Sequence, residues 1–239
     1  MRENEAKCIV TTSWDDGYPQ DIKVAKLLKK YNIKGTFYIT TSNIGDIISE
    51  EEILKIAKFH EIGSHTHRHV ILTAVDTTTC MHELIKSKEI LEDILGKKCV
   101  SFSYPRGAYN SVVKECVKRA GYLCARTTRH FYTSFQDPFE MHPTLHASKY
   151  GLVYCTQGSL KLKLFGIKHF FSWAHLAKKT FDYVYKHGGI WHLWGHSWEI
   201  EEKNMWDELE EVLKYVSSNG VNYVSNKLLS TFSFHSSSL

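Results

Sequence analysis

The chain has 239 residues, 43% of them apolar, which predicts one globular domain over residues 1–239 with a single large core. Its formal charge of +4, without a run of five like charges, gives no indication of nucleic acid or an anionic membrane as a partner. No apolar stretch approaches the roughly 18 residues of a membrane span, and the short, charged residues 1–7 leave no room for a secretory signal. We therefore expect a cytoplasmic protein.

Strands and helices alternate along the first half of the chain. Residues 8–12 are rich in β-branched side chains and predict a buried strand, which is followed by a helix over 21–31 and a strand over 34–40. A capping box from Ser49 to Glu52 starts a helix that ends near residue 59. A strand over 61–64, a helix over 78–95, a strand over 100–104, a helix over 110–120 and a strand over 122–128 follow. This succession predicts a parallel sheet with helices outside it, either a barrel or a doubly wound sheet.

The second half of the chain gives a less regular pattern. Residues 129–171 contain prolines, glycines and scattered histidines, and we predict no element boundaries there. A helix over 172–186, an apolar strand over 190–194, a helix over 204–216 and a last strand over 221–224 follow, and residues 236–239 are expected to fray. The six cysteines include no CxxC pair, which favours reduced core thiols over disulfides or a cysteine zinc site.

Polar side chains follow three of the predicted strands, as Asp15 and Asp16, as His65 and His69, and as His196. The carboxyl ends of parallel strands share one face, so these groups are expected to converge. Two imidazoles and one carboxylate bind a divalent ion and leave coordination positions open for water or substrate. We expect His65, His69 and, by preference, Asp16 to be the metal ligands. Asp15 then stays outside that set as a general base.

The same residues allow other interpretations. An isolated Asp-Asp-Gly is most often a solvated turn, and a run of alternating histidines is often a surface loop. Two histidines with one carboxylate are also the ligand set of non-haem iron oxygenases. Those sites usually occur in double-stranded β folds, so the alternation of strands and helices favours a hydrolase.

Two segments resemble the first two motifs of the NodB-homology polysaccharide deacetylases, carbohydrate esterase family four. The first is Ser13-Trp14-Asp15-Asp16-Gly17, and the second runs from His65 to His69. The resemblance extends from about residue 7 to 223 and implies a distorted, TIM-like (β/α) barrel of seven or eight strands. It also implies that Asp15 is the catalytic base and that Asp16, His65 and His69 hold a divalent metal, zinc in first place, with cobalt, nickel or manganese as alternatives. The implied reaction is the removal of acetyl groups from N-acetylated sugars.

The third motif of the family aligns with Ser103-Tyr104-Pro105-Arg106-Gly107 and departs from it at two positions. Ser103 replaces an arginine that contacts the catalytic Asp in the family, and Arg106 replaces a tyrosine. Arg106 is therefore a candidate to supply the missing charge, and its backbone N–H is expected to join the oxyanion hole. By the same resemblance Tyr104 and Pro105 are expected to contact substrate.

No counterpart of the fourth motif, an Asp-Trp pair, is found in the sequence. The fifth motif supplies the catalytic acid, for which we favour His196 over His192, because His196 follows a glycine at the end of its strand. Trp198 is a candidate for stacking on a sugar ring. In the implied reaction Asp15 takes a proton from water and His196 gives one to the departing amine.

Two alternative functions remain open on the sequence. One is hydrolysis of another non-peptide C–N bond, in a small amide or a cyclic imide, on the same fold. The other is a catalytically impaired relative that binds glycans. If the protein is a cytoplasmic deacetylase, we expect it to act on a precursor such as a lipid-linked or nucleotide-linked N-acetyl sugar.

Overall fold

A parallel β-sheet forms the centre of the molecule in a computed structural model that describes residues 8–149, 161–162 and 172–232. The strands run in the spatial order β5-β4-β3-β2-β1-β7-β6, and β8 pairs with β1. They are β1 (Cys8–Asp16), β2 (Gly35–Ile39), β3 (Glu61–Ser64), β4 (Ser101–Ser103), β5 (Cys124–Arg126), β6 (Leu145–His146), β7 (Gly189–His196) and β8 (Asn222–Tyr223). Every pairing is parallel, so the carboxyl ends of the strands lie on one face.

Helices connect the strands and pack around the sheet. In the described residues they are α1 (Asp21–Lys30), α2 (Glu50–Ala57), α3 (Thr77–Leu95), α4 (Ser111–Arg119), α5 (Trp173–His187), α6 (Ser197–Glu202), α7 (Trp206–Ser217) and α8 (Asn226–Leu229). The predicted capping box from Ser49 to Glu52 starts α2, and Asn110 caps α4. Gly96 ends α3 with a φ of 61°, a conformation in which a side chain would be strained.

Strand β1 is the central strand of the sheet. Strand β7 pairs with it from Cys8 to Asp15, so β8 and β2 share its other edge. Alternation along β1 separates two environments, because Val10 and Trp14 pack in the main apolar core, whereas Thr11 and Ser13 make polar contacts. The Thr11 hydroxyl donates to Asn226 Oδ1 over 2.9 Å, and Ser13 Oγ lies 2.8 Å from His192 Nε2. Asp15 continues the polar series toward the carboxyl end of the strand.

The fold prediction is confirmed, since a curled parallel sheet with helices around it is the distorted (β/α) barrel expected from the sequence. Strands β1 and β7 are longer than predicted, because the polar residues at their ends continue the backbone ladder after the apolar pattern stops. Two elements at the site escaped prediction. Helix α6 starts directly after His196, and β6 lies within the segment for which no boundaries were predicted.

Several expectations concern other features of the chain. The five cysteines in the described residues are buried and unpaired, as predicted, and Cys155 lies outside those residues. Residues 236–239, expected to fray, also lie outside them. Across the described ranges no helix combines the length and apolar character needed to cross a bilayer.

Candidate active site

A cavity of about 380 Å³ opens at the carboxyl ends of the strands. Its described lining consists of Asp15, Asp16, His65, His69, Arg106, Thr128, Trp194, His196 and Trp198. Seven of the site residues expected from the sequence therefore meet in one place: both aspartates, His65, His69, Arg106, His196 and Trp198. Two cavities of similar volume elsewhere in the described chain contain no comparable cluster of carboxylates and imidazoles.

The backbone around the cavity is held in conformations that non-glycine residues rarely adopt. Asp16 has a φ of 83°, Thr66 of 67°, His69 of 54° and Arg106 of 56°. The sequence predicted a turn at Gly17, and the backbone has a positive φ both there, at 77°, and already at Asp16. This turn lets consecutive aspartates, which would point to opposite faces of a regular strand, face the same cavity. Positive φ values at several lining residues are typical of functional sites.

Asp16, His65 and His69 form a compact group with the composition of a metal site. His69 Nε2 lies 3.5 Å from Asp16 Oδ1, and His65 Nε2 lies 3.7 Å from the same oxygen. His65 Nδ1 lies 2.8 Å from the Ser103 carbonyl oxygen. Since a carbonyl oxygen only accepts, Nδ1 carries the proton and Nε2 presents its lone pair to the cavity.

The three ligand atoms fit a first-row divalent cation. Zinc bonds to nitrogen or oxygen of about 2.0–2.1 Å in a tetrahedral arrangement separate ligand atoms by roughly 3.4 Å. In this group all the ligand atoms lie within 4.8 Å of one another, and Asp16 Oδ1 lies 3.5 Å from His69 Nε2 and 3.7 Å from His65 Nε2. Burial lowers the pKa of His65, which favours the neutral ring that binds metals. His67 is outside this group and contacts the Thr41 hydroxyl over 2.9 Å.

Asp15 is buried beside the group formed by Asp16, His65 and His69, and a guanidinium holds it. Arg126 Nη2 donates both to Asp15 Oδ2 and, over 2.7 Å, to the Ser103 hydroxyl. Burial alone would raise the pKa of Asp15, but the charges of Arg126, His65 and His196 outweigh it and lower the pKa to about 2. The second oxygen, Oδ1, has no hydrogen-bond partner among the described residues. Asp15 is therefore an ionised carboxylate with one oxygen free to accept a proton.

The guanidinium beside Asp15 corrects one expectation from the sequence. Arg106 was the candidate for this charge, but its side chain is exposed at the cavity rim. The contact comes from Arg126 because β4 and β5 are in register with Ser103 opposite Arg126, and the small serine leaves room for the neighbouring guanidinium. Arg126 lies near the carboxyl end of the strand predicted over 122–128, and this position was the signal that sequence reasoning missed.

Tyr104 and Pro105, expected to contact substrate, are both buried and do not line the cavity. The Tyr104 hydroxyl donates to the Phe139 carbonyl over 3.1 Å, and its ring stacks on Tyr109. The two residues therefore lie outside the described lining of the cavity.

The two candidates for the catalytic acid lie in different surroundings. His192 is buried against Ser13 inside the barrel, and burial lowers its pKa to about 3. His196 lines the cavity, and its Nε2 lies 4.0 Å from Asp16 Oδ2. Burial alone would lower the pKa of His196, but the carboxylates of Glu199, Asp15 and Asp16 raise it. Of the two, His196 alone has the position and the charge environment of a proton donor.

Glu199, on α6, lies behind His196 and was not anticipated. Its Oε2 lies 3.6 Å from His196 Nδ1 and 3.2 Å from His146 Nε2. Its Oε1 accepts from the Ser148 hydroxyl and from the Lys203 ammonium. These donors lower the pKa of Glu199, although burial opposes them, so the carboxylate stays charged beside the imidazole. The spacing of three residues within one helical turn was the available signal.

Trp198 lines the cavity and also forms a hydrogen bond with Asp16. Its indole N–H donates to Asp16 Oδ2 over 2.9 Å, which fixes the carboxylate and turns Oδ1 toward the two histidines. Its ring also lies 5.3 Å from that of His196, centroid to centroid. The indole therefore orients a candidate metal ligand while one of its faces remains part of the cavity wall.

Several known proteins are similar to this chain in sequence or in fold. YxkH of Bacillus subtilis is 30% identical over 126 residues, which are 51% of this chain and 45% of YxkH. The chain thus spans less than half the length of that relative. In fold it is similar to a protein of Mycobacterium smegmatis, with a TM-score of 0.70, 16% identity and coverage of 96% of this chain and 91% of the other.

The chitin deacetylase of the fungus Colletotrichum lindemuthianum is also similar in fold, with a TM-score of 0.62 and 15% identity over 91% of this chain and 84% of the enzyme. A family model described as polysaccharide deacetylase matches residues 2–125, which carry Asp15, Asp16, His65, His69 and the aligned third motif. Because that match covers more than half of the 239 residues, the chain belongs to the polysaccharide deacetylase family.

Proposed function

We propose that this protein is a metal-dependent hydrolase that removes acetyl groups from N-acetylated sugars. The observation that carries the proposal is the convergence of Asp16, His65 and His69 on one point, with Asp15 alongside but bound to Arg126. Membership of the polysaccharide deacetylase family and the likeness in fold to a chitin deacetylase support an N-acetylated sugar as substrate.

In this proposal Asp16, His65 and His69 hold a divalent cation, zinc in first place. A bound cation of this type polarises a carbonyl group and makes a nearby water more acidic. The lone pair of His65 Nε2 and the free Oδ1 of Asp16 suit that role, because both face the same point. His69, four residues after His65 in the loop that follows β3, provides the second imidazole.

The acid and the base are assigned from opposite pKa shifts. Asp15, with its pKa lowered to about 2, is ionised at neutral pH and accepts a proton from the attacking water. His196, with its pKa raised, donates a proton to the departing amine. Asp15 and His196 are register partners on β1 and β7, so the two groups flank one bond of a substrate in the cavity. The backbone N–H of Arg106 is assigned to the developing oxyanion.

Acetate release and metal content test the proposal together. The purified protein, saturated with zinc, is expected to release acetate from N-acetylated amino-sugar oligomers and to bind one zinc per chain. Asp15→Asn is expected to lose turnover on the order of 10³-fold while it keeps the cation, because the amide cannot accept the proton. Glu202→Gln, at an exposed position on α6, is the matched control and should keep both properties.

Several results would contradict this assignment. Near-normal turnover by Asp15→Asn would remove Asp15 as the base. A zinc-saturated protein that binds the oligomers without releasing acetate would be a glycan-binding relative. Release of product only from small amides or cyclic imides would place the reaction at another C–N bond.

A further inference from the structure

Arg106 is the one lysine or arginine in the described lining of the cavity. Its side chain is exposed, and it forms no ion pair with a carboxylate of the described residues. The lining carboxylates already have partners, since Asp15 binds Arg126 and Asp16 accepts from Trp198. Any anion that binds the Arg106 guanidinium therefore comes from outside the described part of the chain.

The loop that carries Arg106 is firmly anchored. Arg106 has φ and ψ of 56° and 12°, and Gly107 donates to the Tyr104 carbonyl over 2.8 Å. The Thr128 hydroxyl donates to the Arg106 carbonyl over 3.5 Å from the neighbouring strand end. Gly107 has a φ of 68°, and a Cβ there would lie 2.0 Å from Thr128 Oγ1, so only glycine fits this close approach. The backbone of Arg106, from which its side chain extends, is consequently fixed at the cavity rim.

Three other arginines in the described chain have partners that explain them, and Arg119 is exposed on α4, outside the cavity lining. Arg68 pairs with Glu83, Arg126 pairs with Asp15, and the Arg129 guanidinium lies over the Tyr109 ring. Arg106 differs from these because it stands at the entrance to the cavity with its planar donor group uncommitted. A guanidinium recognises carboxylates and phosphates through paired hydrogen bonds, and a lysine at the same place would not reproduce that geometry.

We propose that Arg106 selects N-acetylated sugars that carry a negatively charged group, a carboxylate or a phosphate, on the acetylated unit or its immediate neighbour. This inference rests on the proposed deacetylase function and names the substrate class of the same site. The cavity volume of about 380 Å³ lies near the lower end for small-ligand sites, which limits the anion to the vicinity of the scissile amide.

Matched substrates test the inference. An N-acetylated amino sugar with a carboxylate is compared with its methyl ester, and one with a phosphate is compared with its unphosphorylated form. We expect kcat/KM to be roughly 10- to 100-fold higher for the charged member of at least one pair, in line with a charge-assisted hydrogen bond at a partly exposed site. The pair that shows the larger ratio distinguishes a carboxylate from a phosphate.

Variants of Arg106 test whether its guanidinium causes the higher kcat/KM for charged substrates. Arg106→Gln should bring the charged-to-neutral ratio of kcat/KM close to 1, and Arg106→Lys should restore part of it. Arg129→Gln, which removes a nearby exposed guanidinium outside the cavity lining, should keep the wild-type ratio. Because Arg106 is exposed, its variants should keep the wild-type Tm, which separates the effect from unfolding.

The outcomes separate a failure of the inference about Arg106 from a failure of the proposed deacetylase function. Acetate release with equal kcat/KM for charged and neutral substrates, or with a ratio that Arg106→Gln leaves unchanged, overturns the inference and leaves the deacetylase function in place. Arg106 would then be only a solvated charge at the rim. No acetate release from any of the four substrates by the zinc-saturated protein overturns the deacetylase function and the inference with it.

Discussion

Two groups of residues with the same composition meet at the cavity. One consists of Asp16, His65 and His69, and the other of Glu199, His146 and His196. Each has two histidines and one carboxylate, with ligand atoms within 4.8 Å of one another. By composition and spacing alone, both groups are candidates to hold a metal ion.

The partners of the two carboxylates separate these groups. Asp16 Oδ1 faces the imidazoles of His65 and His69, and no lysine or arginine of the described residues pairs with the Asp16 carboxylate. Glu199 binds the Lys203 ammonium and the Ser148 hydroxyl through Oε1. The Lys203 ammonium, 2.5 Å from Glu199 Oε1, repels a second cation and already neutralises the carboxylate. The Asp16 group is thus suited to hold a metal ion and the Glu199 group to hold a proton.

The largest expected difference between the two groups is in metal content. His65→Ala removes an imidazole whose lone pair faces Asp16, so we expect the variant to lose bound zinc and to fall to background activity. His146→Ala, in the Glu199 group, should keep one zinc per chain. Elemental analysis after dialysis against a weak chelator measures both. Loss of zinc from His146→Ala with retention in His65→Ala would reverse the assignment of the two groups.

The next largest effect concerns the proton on His196. The Glu199 carboxylate raises the pKa of His196, so Glu199→Gln should lower that pKa and reduce kcat on the order of 10²-fold near neutral pH. Zinc content and KM should change little, because Glu199 does not face the Asp16 group. The basic limb of the kcat profile, which reports loss of the proton from the acid, should move to lower pH. An unchanged basic limb would show that Glu199 does not act through His196.

The residues of the sequence motifs could be predicted from the sequence, whereas the side chains that support them could not. Asp15, Asp16, His65, His69 and His196 were identifiable because each comes shortly after the end of a predicted strand, and parallel strands end on one face. The supporting side chains were not identifiable in this way. The cation beside Asp15 depends on which residue of β5 lies opposite Ser103, and that register is a non-local property.

The same reasoning applies to the acid side of the cavity. Glu199 is three residues from His196, but the contact requires α6 to start immediately after β7, and no helix was predicted there. His146 lies on a two-residue strand within residues 129–171, where the sequence shows no regular hydrophobic periodicity. Strand order and helix onset, which arise from the packing of the whole barrel, decide these contacts.

A smaller effect is expected on the base side of the cavity. Arg126 outweighs burial and lowers the pKa of Asp15, so Arg126→Gln should raise that pKa. The acid limb of kcat/KM, which reports protonation of the base, should move to higher pH. The loss should be about tenfold at pH 7 and larger at pH 5. Arg126→Lys should restore part of the wild-type profile, and Tm should be measured for both because the position is buried. An acid limb that does not move would contradict the pairing.

The smallest expected effect tests how Asp16 is oriented. The Trp198 indole N–H holds Asp16 Oδ2 and so directs Oδ1 toward the two histidines. Trp198→Phe keeps the aromatic wall but removes this donor. Zinc affinity should fall by about tenfold, as is typical for partners of metal ligands, while kcat at saturating zinc should change less than about twofold. Trp206→Phe, which removes an indole N–H bound to Glu201 away from the cavity, is the matched control. A large fall in kcat at saturating zinc, with unchanged zinc affinity, would instead indicate that Trp198 acts on the substrate.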